Sequence, residues 1–189
     1  KTNRLYVKRY VEETNLRAHL ILDTSKSMEY TSGGVSKLDY GSYLLAALSY
    51  LMIRQQDAAG VVLFDENIRT FIPPKSIPSH LNTLLNVLDV SSTGKDTNIE
   101  PVLHEMAERI KKKGLVIIIS DLFDDPRNIM NGLKHFRHSN QEVIIFHVLD
   151  RNEVDFNFNS RTKFVDMESG EEITTDPWHV KNEYKNLIK

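Results

Sequence analysis

Apolar runs of strand length alternate with stretches of helical periodicity along this chain. Residues 16–22 (LRAHLIL) become wholly apolar toward their end, the pattern of a buried parallel strand. Leu38, Gly41, Leu44, Leu45, Leu48, Leu51 and Met52 then recur at helical spacing. They predict a helix that starts at Ser36, as N-cap with Asp39 three residues on, and ends near Gln56. Residues 60–64 (GVVLF) read as a second buried strand, and 68–72, ahead of Pro73 and Pro74, as an edge strand. Leu81, Leu84, Leu85 and Leu88 mark a helix, and 91–98 (SSTGKDTN) a loop. Ile99, Val102, Leu103, Met106, Ala107 and Ile110 form an amphipathic stripe with Asn98 as its expected N-cap. It stops at Lys111, Lys112, Lys113 and Gly114. Residues 115–119 predict a third core strand, Ile129, Met130, Leu133 and Phe136 a helix, and 143–149 a fourth core strand.

Strand and helix in alternation predict an α/β fold: a doubly wound, mostly parallel sheet with helices on both faces, Rossmann-like in architecture. The ends depart from the alternation. Residues 4–11 (RLYVKRYV) read as an edge strand blunted by Arg4, Lys8 and Arg9. Residues 163–167 and 171–174 read as a hairpin, and 177–188 as a last helix opened by Pro177, with Trp178 and Tyr184 as core anchors. The expected organisation is one domain over 1–189, with a core at 16–150, the N-terminal edge strand at 4–12 and the hairpin plus helix at 160–188.

Composition narrows the function classes. A formal net charge of −2 gives no bulk field for nucleic acid or anionic lipid. With no Cys there is no disulfide, thiolate zinc site or Cys nucleophile, and a cytoplasmic setting is expected. No apolar run approaches the ~20 residues of a membrane span. The chain begins at Lys1 rather than Met, so it is expected to be a segment of a longer protein. His80, His104, His135, His138 and His147 show no paired metal-ligand spacing, and His147 is expected to be a satisfied core residue.

Ligands of doubly wound folds bind beyond the carboxyl ends of the strands. After the first core strand come Asp23, Ser25 and Ser27 (DTSKS), and after the third comes Asp121 (SDLFDD). The loop before the third helix carries Asp96, Thr97 and Asn98. These segments are expected to meet at one rim. Carboxylates and hydroxyls without Cys or His suit a hard cation, Mg²⁺ with Mn²⁺ or Ca²⁺ as alternatives. Hydroxyls are neutral ligands, so the ion keeps an affinity for one more anionic oxygen, such as a partner's Asp or Glu.

Asp23-Thr24-Ser25-Lys26-Ser27, Thr97 and Asp121 resemble the metal-ion-dependent adhesion site of von Willebrand factor A domains. The resemblance covers residues 16–149. It implies that Ser25, Ser27 and Thr97 offer hydroxyls, while Asp23 and Asp121 bind directly or through water. Further stretches make the chain similar to the bacterial family called domain of unknown function 58: Leu5-Tyr6-Val7-Lys8, residues 12–17, residues 36–40, Val62-Leu63-Phe64, and Gly114-Leu115-Val116 leading to Ile119-Ser120-Asp121. That similarity implies a MoxR-type AAA+ ATPase, or its client, as partner. Two departures stand out: Asp121 is followed by Leu122 where many adhesion-type domains have Gly, and Lys26 lies inside the metal loop, where an inward ammonium would weaken cation binding. Asp96 and Asp124 are candidates for an outer shell; Asp124 and Asp125 are alternatively caps of the helix that Pro126 opens.

The leading expectation is a non-enzymatic, metal-dependent protein-binding module. One alternative is a metal-dependent phosphatase-like enzyme with Asp23 as nucleophile; such chemistry calls for a second Asp two residues on, where this chain has Ser25. The other is a metal-free scaffold.

Overall fold

A computed structural model describes residues 15–89, 99–156, 162–165, 172–178 and 181. Its main sheet has five strands in the order β3-β2-β1-β4-β5. β1 (Arg17–Asp23) lies centrally, parallel to β2 (Ala58–Phe64) on one side and β4 (Leu115–Ser120) on the other; β4 pairs in parallel with β5 (Glu142–His147). β3 (Ile68–Lys75) is antiparallel to β2 and closes that edge. The sheet is therefore mostly parallel and doubly wound, as the alternation predicts.

β1 and β2 are buried along nearly their whole length because helices cover both faces. On one face, Leu20, Leu22, Val61, Leu63, Ile117 and Ile119 pack with α1 (Lys37–Arg54) and α2 (Ser79–Asp89). On the other, Ile21, Val62, Phe64, Val116 and Ile118 meet α3 (Ile99–Arg109) and α4 (Pro126–His138). α1 begins with the expected capping box: Ser36 Oγ accepts from the Asp39 N–H, and Asp39 Oδ2 accepts from the Ser36 N–H. Its buried stripe is Lys37, Gly41, Leu45, Ser49, Met52 and Ile53, whereas Leu51 is exposed.

Several expectations are corrected. β3 runs on through Pro73 and Pro74, because an edge strand tolerates residues without a ladder donor and the β2–β3 register shifts between Ala59 and Val61. A side chain at Gly60 would meet the Ile72 carbonyl oxygen at 2.5 Å, so β2 needs glycine where the bulge crosses it. β5 ends the described sheet and is half exposed, with Ile144 and Ile145 open to solvent, so it is not a core strand. His147 is accordingly exposed rather than core, and its Nε2 lies 2.9 Å from the Asp121 carbonyl oxygen. A short helix, α5 (Arg151–Asp155), follows β5. The antiparallel hairpin β6 (Thr162–Val165) and β7 (Glu172–Thr175) lies where the sequence predicts one. Trp178, expected as a core anchor, is 82% exposed among the described residues. The 4–12 edge strand, Tyr184 and most of the last helix fall outside the described residues.

Candidate functional site

β1 and β4 are adjacent and in register, Leu22 opposite Ile119, so both deliver their next residues to the same sheet edge. Asp23 ends β1 almost completely buried. Beyond it the chain is tied to β2, since the Thr24 N–H and hydroxyl both donate to the Phe64 carbonyl oxygen, at 2.7 and 2.8 Å. It then makes one 3₁₀ turn, Lys26–Glu29, held down by the fully buried Met28. The turn buries Ser25, leaves Ser27 half-buried and turns Lys26 outward into solvent. Lys26 therefore does not enter the rim.

Asp23 is held rigidly. Its Oδ1 accepts the Ser25 N–H at 2.9 Å and its Oδ2 accepts the Ser120 hydroxyl at 2.6 Å. Burial nevertheless raises its pKa to about 6, helped by the neighbouring negative charge of Asp121 and opposed by these hydrogen bonds. The Ser25 and Ser27 hydroxyl oxygens stand 3.0 Å apart. Asp23, Ser25, Ser27 and Asp121 thus meet at one rim. Thr97, Asp96 and Asn98 lie outside the described residues. Asp124 pins the start of α3: its Oδ2 accepts the Ile99 N–H at 3.1 Å, and its Oδ1 accepts from the Asp125 N–H and from Asn128 Nδ2. Asp125 is the N-cap of α4, accepting the Arg127 N–H. Hydrogen bonds to Arg127 lower its pKa.

Leu122 follows Asp121 where many adhesion-type domains have Gly. Its φ is +52°, the left-handed region that favours glycine. The turn after Asp121 has the glycine-type backbone without the glycine, supported by the Leu122 N–H donating to Ser120 Oγ at 2.9 Å. Such strain persists where surrounding structure enforces it.

The rim also contains a residue that the sequence reading passed over. Lys37, 3% exposed, places its ammonium 2.8 Å from Asp121 Oδ2 and 2.6 Å from Glu153 Oε1. The Phe123 and Tyr30 rings lie 4.9 and 5.8 Å from it, within cation–π range. Two signals were present. A lysine in a helix's first turn opposes the macrodipole, and Lys37 lies one turn ahead of Gly41 on the buried stripe. Glu153 was legible as the third residue after Asp150, with which it forms a capping box at the start of α5.

The donor set fits a hard cation in part. The Ser25 and Ser27 hydroxyls are hydrogen-bonded to each other at 3.0 Å, a separation that cis ligands of Mg²⁺ at 2.0–2.1 Å, about 3 Å apart, would also occupy. Among the described residues no three His, Cys, Asp or Glu side chains form a ready-made metal cage. Of the described residues, Asp23, Ser25 and Ser27 are the ones that could hold such an ion, while Asp121 carries a lysine.

The fold and rim define an α/β protein whose candidate site lies at the carboxyl ends of its parallel strands. The chain belongs to the family described as "Protein of unknown function DUF58", whose model matches residues 1–189. It is 23% identical over 182 residues to "Uncharacterized protein Rv1480" of Mycobacterium tuberculosis and, equally, to "Uncharacterized protein Mb1516" of Mycobacterium bovis. The match takes in 94% of this chain and 57% of each relative, so the chain spans little more than half the length of the curated relatives it matches. Two solved structures share the fold at 16% identity. One is an aerotolerance-related membrane protein from Bacteroides fragilis (TM-score 0.60, covering 92% of this chain and 86% of that one). The other is BatB from Bacteroides thetaiotaomicron (TM-score 0.57, covering 90% and 85%). Among the described residues no helix is long and apolar enough to cross a membrane.

Proposed function

We propose that this chain is a von Willebrand factor A-like binding module, not an enzyme, that captures an acidic side chain of a partner protein through a divalent cation. Mg²⁺ is the expected ion, with Mn²⁺ or Ca²⁺ as substitutes. The observation that carries the reading is the buried Asp23 carboxylate beside two hydroxyls, Ser25 and Ser27, spaced like neighbouring ligands of one small cation. Neutral hydroxyls leave the ion's charge under-compensated, and an open coordination position would bind a carboxylate. By family resemblance, the partner is a MoxR-type AAA+ ATPase or its client, in the cytoplasm. An Asp23-nucleophile phosphatase is disfavoured because the residue two positions on is Ser25, bonded to Ser27, rather than a second carboxylate.

Calorimetric titration with Mg²⁺ and Mn²⁺ tests the proposal on the wild-type chain and on Ser27→Ala, whose half-buried hydroxyl supports little else. Binding to the wild type that weakens at least tenfold in Ser27→Ala supports it. Equal heats from the two proteins overturn it. One observation favours a metal-free scaffold as the second reading: the Lys37 ammonium already rests on Asp121.

A further inference from the structure

Lys37 connects pieces of the rim that are distant in sequence. Its Nζ bridges Asp121, after β4, and Glu153, in α5. Glu153 Oε2 accepts the Asp150 N–H, and Asp150 in turn accepts the Ser32 N–H from the loop that follows the Asp23–Ser27 turn. The Lys37 N–H donates to the Tyr30 carbonyl oxygen of that same loop. One ammonium thus closes a circuit through the 30–36, 121–123 and 150–153 segments.

A cation buried at a helix N-terminus is unfavourable on two counts, desolvation and the macrodipole. It persists because two carboxylates and two aromatic faces surround it. One of those carboxylates is Asp121, which the metal reading also requires. A divalent ion beside Asp23 and an ammonium on Asp121 would repel each other across a nearly buried rim, where screening is weak.

We propose that Lys37 is a tethered cation that regulates the metal site: it holds Asp121 in place of a divalent ion, and loading the rim requires it to withdraw from Asp121 onto Glu153. The inference rests on the metal reading above. It assigns the rim two arrangements. In one, Lys37 locks the three segments together; in the other, the divalent ion takes Asp121 and frees the Asp121–Phe123 turn to meet a partner. Lys37 therefore sets metal affinity without being a ligand.

The test is Mn²⁺ titration of the wild type, Lys37→Met, Asp121→Asn and the Lys37→Met/Asp121→Asn double variant. Lys37→Met is expected to bind Mn²⁺ at least tenfold more tightly than the wild type. The gain of the double variant over Asp121→Asn is expected to be smaller than the gain of Lys37→Met over the wild type, because Asp121→Asn removes the contact that Lys37 competes for and leaves only the repulsion of an ammonium held by Glu153. If Lys37→Met binds no more tightly than the wild type while Ser27→Ala still binds at least tenfold more weakly, the tethered-cation role falls and the metal site stands. If no folded variant takes up Mn²⁺, the metal reading falls and this inference with it. Lys37→Met leaves the buried Asp121 and the half-buried Glu153 without their counter-ion, so a second measurement uses the wild type alone. The ¹⁵N resonance of the Lys37 ammonium is expected to shift or broaden away at saturating Mg²⁺. A resonance unmoved under those conditions overturns the proposal.

Discussion

The Ser120 hydroxyl donates to Asp23 Oδ2 at 2.6 Å across the β1–β4 boundary, joining the two strand ends that build the rim. The Ser120 oxygen is already engaged on both sides, donating to Asp23 and accepting the Leu122 N–H, so this contact holds Asp23 without offering a ligand of its own. Ser120→Ala leaves a buried carboxylate oxygen without its donor and also removes the acceptor of the Leu122 N–H. The expected cost is about 1–3 kcal/mol, measured by urea denaturation at neutral pH. A change below about 0.5 kcal/mol would show that water replaces the hydroxyl freely.

Gly41 lets α1 approach the sheet. A Cβ there would stand 2.7 Å from Leu22 Cδ1 and 3.3 Å from Ile119 Cγ2. Both neighbours are fully buried, so they have little room to give way. Gly41→Ala gains up to about 1 kcal/mol of helix propensity. Overpacking costs more, and a net loss of about 1–2 kcal/mol is expected. Because Lys37 lies one turn earlier on the same stripe, the Lys37–Asp121 contact should loosen as well, visible as faster amide hydrogen exchange at residues 37–40.

Lys26 lies inside the DTSKS motif yet is exposed. Lys26→Ala should leave Mn²⁺ affinity within about twofold of the wild type, since an exposed ammonium is screened by water and salt. A tenfold gain in the same titration would place its charge in the rim after all.

His19 and Asp23 titrate against each other. Burial lowers the His19 pKa from 6.5 to about 4, with Arg17 adding to the effect, and its Nδ1 has no hydrogen-bond partner among the described residues. The folded state therefore resists the proton that the unfolded chain accepts, and stability falls as pH drops from 6.5 to 4. Asp23, raised from 3.8 to about 6, works in reverse: the folded state takes up the proton first, and stability rises as pH drops from 6 toward 3.8. Each swing is on the order of 3 kcal/mol. The metal-free wild type should show little net pH dependence from this pair. In EDTA, His19→Leu should gain stability on acidification from pH 6 to 4.5, and Asp23→Asn should lose it. Parallel slopes for the two variants in denaturation experiments would refute the assignment.

Local pattern carried most of the fold. Apolar runs at 20–22, 60–64 and 115–119 can be satisfied only by burial on both faces, and the amphipathic stripe from Ile99 to Ile110 needs a sheet to cover. The same logic overreached at 143–149, because an apolar run does not reveal whether a strand has one neighbour or two. Asp23, Ser25, Ser27 and Asp121 were legible as a group because strand ends on one parallel sheet point to one edge.

The partners of those groups were not legible. Lys37 lies 84 residues from Asp121 and 116 from Glu153, and no sequence periodicity links positions that far apart. Whether Lys26 or Lys37 supplies the rim's internal cation depended on one 3₁₀ turn and on how closely Gly41 lets α1 approach. By itself the chain determined strand order in sequence, helix starts and a carboxylate-and-hydroxyl edge, since these follow from spacing and side-chain chemistry. Only the tertiary structure decided which cation occupies Asp121, because burial and charge pairing are set by packing between distant segments.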